Sequence, residues 1–166
     1  MQDTIQAGMV APARVQPARD VALLVLRGFA GFTMAWHGWQ KIDGGIGGFK
    51  GFVESLSLPF PGLLAPVVTA LEFGGGLLLI VGLLTRLWAV FIGVEMMFTA
   101  LLVKATKLDV GFIGSEGTGY ELDLLILAAC VTLILLGPGR VSLDAAVGVP
   151  DRSCLAQEAH VSSIRN

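Results

Sequence analysis

The chain has 166 residues, of which 54% are apolar and only 14% charged, with a net charge of -2 and a mean hydropathy of +0.77. Soluble domains carry roughly 25% charged residues, so this composition points to a membrane protein. The acidic balance argues against a nucleic-acid partner.

The opening segment, MQDTIQAGMVAPARVQPARD, has no apolar core and is not expected to act as a cleavable signal peptide. Residues 1–20 are read as a disordered lead-in. Four apolar stretches follow, at about 21–41, 63–85, 87–104 and 120–137. A span needs about 20 residues, so the fourth reaches full length only if Glu121 and Asp123 lie at the interface. The Thr85-Arg86 link predicts an antiparallel hairpin between the second and third spans. Gly137-Pro138-Gly139 stops the last helix, and residues 141–166 form a polar tail. The fold expected is an all-α integral membrane protein, with four transmembrane helices in an antiparallel bundle over residues 21–140.

The first link contains Phe49, Phe52, Val53 and Leu56 at i, i+3, i+4, i+7 spacing, with Lys50 and Glu54 off that face. That pattern predicts a short amphipathic helix, ended by Pro59, that lies on the membrane or caps the bundle. Trp36, Trp39, Trp88 and Tyr120 fall near predicted span ends, where an aromatic belt would sit. Six basic residues fall on the side shared by the termini against four on the opposite side, which predicts both termini in the cytoplasm.

Each apolar stretch carries ionisable residues. Such residues are costly in a bilayer and usually face protein or water. On the first span Arg27, Gly31, Met34, His37, Gly38 and Lys41 share one arc, and on the second Glu72 precedes three glycines. Both helices are therefore expected to turn a small, polar face inward and to pack through their glycines. Counting depth at 1.5 Å per residue lets Arg27 meet Glu72 or Glu95. The same counting gathers His37, Lys41, Tyr120, Glu121 and Asp123 at the opposite mouth. His37, Glu72 and Glu121 are candidate catalytic or proton-transfer groups. Arg27, Lys41, Glu95, Tyr120 and Asp123 would complete the polar interior. Cys130 and Cys154 form no metal-ligand or dithiol spacing, and no phosphate loop or dinucleotide fingerprint is present. Neither a metal site nor a cofactor motif is therefore expected.

Several segments together resemble the DoxX family of small bacterial four-span membrane proteins. The matching segments are RGFAGFTMAWHGWQK, EFGGGLLLIVGLLTR, Gly111-Phe112, GTGYE and GPGRVSLD. The resemblance covers about Val21 to Asp144, and the matching polar positions are Arg27, Lys41, Glu72, Arg86, Tyr120 and Glu121. It implies a multi-pass inner-membrane protein with an oxidoreductase role linked to oxidative-stress defence. A related branch serves as a membrane subunit of a thiosulfate:quinone oxidoreductase. The leading expectation is thus a membrane subunit of a redox system that binds a quinone or small reductant, or docks a soluble redox protein. A proton or small-molecule pathway and a non-catalytic scaffold are the competing classes. The oligomeric state is not legible.

Overall fold

A computed structural model describes residues 15–114 and 117–149, and these are all helix, turn or loop, with no strand. Six helices follow in chain order: α1 Val15–Asp43, α2 Ile46–Ser55, α3 Pro61–Val81, α4 Thr85–Lys107, α5 Glu121–Leu136 and α6 Leu143–Ala146. Three of them, α1, α3 and α4, are long and apolar enough to cross a membrane. With 16 residues, α5 is shorter than the usual span.

Some boundaries differ from expectation. Helix α1 already begins at Val15, so residues 15–20 are helical rather than part of a disordered lead-in. The rest of that lead-in, and the tail from residue 150 onward, lie outside the described residues. The turn between α3 and α4 is Gly82-Leu83-Leu84, not Thr85-Arg86. Gly82 ends α3 at φ +73, a conformation that suits glycine, and Leu84 follows at φ +51. Thr85 and Arg86 instead form the first turn of α4, because Asp144 caps it. Its carboxylate accepts from the amides of Leu84 (2.6 Å) and Thr85 (2.9 Å).

Residue numbers rise along α1 as they fall along α3. Arg27 meets Ile80, Gly31 meets Gly76, Gly38 meets Phe73 and Lys41 meets Glu72. The contact is backbone to backbone. A Cβ on Gly76 would sit 2.6 Å from the Gly31 carbonyl, and one on Gly31 would sit 2.6 Å from the Gly76 carbonyl. The glycine faces thus meet as the sequence predicts. Gly75 does not share that seam, since it faces the Trp88 ring on α4. Trp88 is accordingly packed between helices, whereas Trp36 and Trp39 are exposed.

Behind the seam, Met34, Leu79, Ile92, Ile126, Cys130 and Leu133 close a core shared by α1, α3, α4 and α5. Cys130 is fully buried and serves as a small packing residue beside Gly93. Two stretches widen into π-helix, Leu71–Gly75 in α3 and Thr99–Lys107 in α4. Such widening often marks functional positions, and here it carries Glu72 and Lys104. Pro66, inside α3, lacks the amide needed to continue the regular ladder just before the first of them.

A test of the seam compares Gly76→Ala with Gly74→Ala, because a Cβ on Gly74 meets nothing within 4 Å. Overpacking costs about 1–3 kcal/mol. Thermal unfolding of the detergent-purified protein should show a clear fall in Tm for Gly76→Ala and none for Gly74→Ala. Equal Tm values in the two variants would refute the close-approach seam.

Candidate functional site: a polar cavity beneath α2

The charged groups divide between two ends of the molecule. At one end Arg27, only 2% exposed, donates to three main-chain carbonyls: Ile80 (3.2 Å), Pro138 (2.6 Å) and Val141. These oxygens lie at or just beyond the ends of α3 and α5, where helical partners run out. The Asp144 carboxylate that caps α4 adds a nearby negative charge. Arg27 therefore ties the middle of α1 to the end of α3 and to the turn after α5. It does not meet Glu72 or Glu95. Depth counting misplaced it because unsatisfied carbonyls at helix ends are invisible in a list of side chains.

At the other end, α1, α3, α4 and α5 enclose a cavity of about 350 Å³, roofed by α2. Phe49, Phe52, Val53 and Leu56, the face predicted for the short helix, all line it. That helix caps the cavity with its apolar side, while Lys50 and Glu54 pair outside at 3.4 Å. A volume of this size with apolar walls and a few convergent polar groups is typical of small-molecule sites.

The polar groups come from all four surrounding helices. From α1, Lys41 pairs with the buried Glu72 carboxylate of α3, and its ammonium also sits 4.8 Å from the centre of the Phe49 ring. From α4, Lys104 pairs with Asp123 of α5 at 2.9 Å and donates to the Gly119 carbonyl at 2.8 Å. Glu95 of α4 shares the cavity wall with Glu72, near enough for the two carboxyls to act on each other electrostatically. His37 lines the wall and directs Nδ1 at the Thr33 carbonyl (2.8 Å). A carbonyl only accepts, so Nδ1 carries the hydrogen and a neutral ring leaves Nε2 as an acceptor.

The cavity wall thus takes in His37, Lys41, Glu72, Glu95 and Asp123 of the predicted set. Tyr120 and Glu121 stand outside it. The Tyr120 ring packs edge-on against Phe112, with centroids 5.5 Å apart, while Glu121 lies against Gly119 and its backbone amide donates to the Phe112 carbonyl. They pin the loop preceding α5. Two residues escaped the sequence reading as site groups. Lys104 looked like a charge at a span end, and nothing in the sequence pointed from it to Asp123. Asp144 was visible only as part of a terminal motif.

Among the described residues no group of three or more His, Cys, Asp or Glu is arranged to hold a metal ion. Fold and site together define a small helical membrane protein with a polar cavity under a short amphipathic helix. The DoxX family model matches residues 22–105, and the chain belongs to that family. The chain is 33% identical over 125 residues to the inner membrane protein YqjF of Escherichia coli K12, covering 75% of this chain and 91% of the relative. It is 31% identical over 125 residues to the Bacillus subtilis protein named "Putative oxidoreductase CatD", covering 75% and 86%. It is also 28% identical over 128 residues to the inner membrane protein YphA of Escherichia coli K12, covering 76% and 91%. No solved structure matches.

The two ends predict opposite couplings in double-mutant cycles. Residues in one ion pair couple by about 0.5–3 kcal/mol, and distant residues add. Lys41→Met and Glu72→Gln should therefore be non-additive in unfolding free energy. Arg27→Met should destabilise by about 1.5–3 kcal/mol through loss of charged hydrogen bonds, yet add simply to Glu95→Gln. A strong Arg27–Glu95 coupling would contradict this assignment.

Proposed function

We propose that this DoxX-family protein is a membrane subunit of a redox system, taking a quinone or small reductant into the cavity beneath α2. The observation that carries this reading is the cavity itself: apolar and aromatic walls, with two lysine–carboxylate pairs among them. Phe49, Phe52 and Phe98 line the cavity and would pack against a flat apolar ring, while the ammonium groups of Lys41 and Lys104 would donate to its carbonyl oxygens. The oxidoreductase name carried by one relative agrees with this chemistry. Electrons would come from a soluble redox protein docking on the membrane surface.

The same reading makes α5 the fourth span of an antiparallel bundle in the inner membrane, with both termini cytoplasmic. Glu121 and Asp123 at its start would then sit at interface depth, and the rigid Gly137-Pro138-Gly139 turn would bring Val141 back to Arg27.

The test uses protein purified from native membranes in mild detergent. Mass spectrometry of the extracted lipids should find a co-purifying quinone. Titration with a short-chain ubiquinone analogue should quench tryptophan fluorescence saturably. Val53→Trp, which fills the cavity from its roof, should weaken that binding at least tenfold while the protein remains folded. If no quinone co-purified and none bound, or if Val53→Trp bound as tightly as the parent, the reading would fail.

A further inference from the structure

Among the described residues, the titratable side chains on the cavity wall are His37, Lys41, Glu72, Glu95, Lys104 and Asp123. Two ammonium groups thus face three carboxyl groups. Fully ionised, the set would leave one negative charge without compensation in an apolar interior, which is costly, and uptake of one proton removes it.

The geometry says where that proton resides. Glu72 has Lys41 as its cation, and Asp123 has Lys104. Glu95 has no such partner. One of its oxygens, Oε2, is buried with no hydrogen-bond partner among the described residues, and the carboxyl faces that of Glu72. Two carboxyl groups can hydrogen-bond to each other only if one of them carries a hydrogen. Carboxyl pairs that share one proton are a recurrent device for acid–base work. Around Glu95, α1 presents Lys41 and His37, α3 presents Glu72, and α5 presents Asp123 and the Cys130 thiol. Helix α4 itself adds Lys104, and α2 turns only apolar groups inward.

We propose that Glu95 holds an exchangeable proton, shared with Glu72, and delivers it to an anionic oxygen of the molecule bound in the cavity. The step is proton transfer alone. The O–H bond at Glu95 breaks, the proton bonds to the substrate oxygen, and the substrate's negative charge is replaced by that of the Glu95 carboxylate. The total charge of the filled cavity does not change, so the step needs no counter-ion to move. Delivery rests on the cavity being the ligand site; proton storage does not.

Two readouts on the full-length, detergent-purified chain separate these parts. Infrared spectroscopy near neutral pH should show a protonated-carboxyl stretch that shifts in D2O. Glu95→Gln, which keeps the side-chain shape, should abolish it. Asp123→Asn removes a negative charge that acts on Glu95 and should weaken the band. A wild-type spectrum without the band, a band that does not exchange, or one that survives Glu95→Gln would overturn storage. For delivery, the probe is the 2-hydroxy-1,4-naphthoquinone anion, whose visible colour is lost on protonation. Bound to wild type it should bleach, and bound to Glu95→Gln it should stay coloured. Binding to wild type without bleaching would overturn delivery and leave the quinone reading intact. Failure to bind would overturn delivery together with that reading, while the infrared band stood.

Discussion

Backbone contact between α1 and α3 depends on side chains that are missing. At Gly31, Gly38 and Gly76 any Cβ would run into the opposite main chain. The approach is therefore available only to glycine, and it sets the register in which α1 slides past α3. With that register fixed, Arg27 meets α3 at its C-terminal end, and Lys41 meets it at Glu72. A shift of one helical turn, about 5.4 Å, would break both arrangements at once. The seam thus separates a structural end from a cavity end.

The two ends handle buried charge differently. At the first, a guanidinium with several donors in a fixed plane satisfies carbonyls from separate chain segments, and Asp144 does the converse job for amides at the start of α4. The Arg27 guanidinium and the Asp144 carboxylate both find directed main-chain partners there, which suits a fastening. At the second, two ion pairs leave a carboxyl facing another carboxyl around open space. That arrangement tolerates a proton more or less, and a molecule in the cavity could decide which. Among the described residues the π-helical stretches carry Glu72 and Lys104, both at this second end.

Much of this was legible in the sequence because it follows from local pattern. The amphipathic spacing of Phe49, Phe52, Val53 and Leu56 announced α2 and its apolar face. The shared arc of Gly31, Gly38 and Lys41 announced the face that α1 turns to α3. Arg27 was legible as a buried residue that needed partners, but the partners themselves were not. Carbonyl oxygens of Ile80, Pro138 and Val141 are present at every residue type, so nothing in the letters marks them as acceptors.

The sequence by itself determined that apolar helices dominate, that charges lie inside them, and which faces are small enough for contact. Helical periodicity and residue chemistry are enough for that. Only the tertiary structure decided that Lys104 answers Asp123, that Glu95 turns to Glu72, and that Tyr120 and Glu121 stay outside the cavity wall. Those choices depend on the rotation and depth of each helix relative to the others. Both are set by the summed packing of many side chains across the core, and no local pattern encodes them.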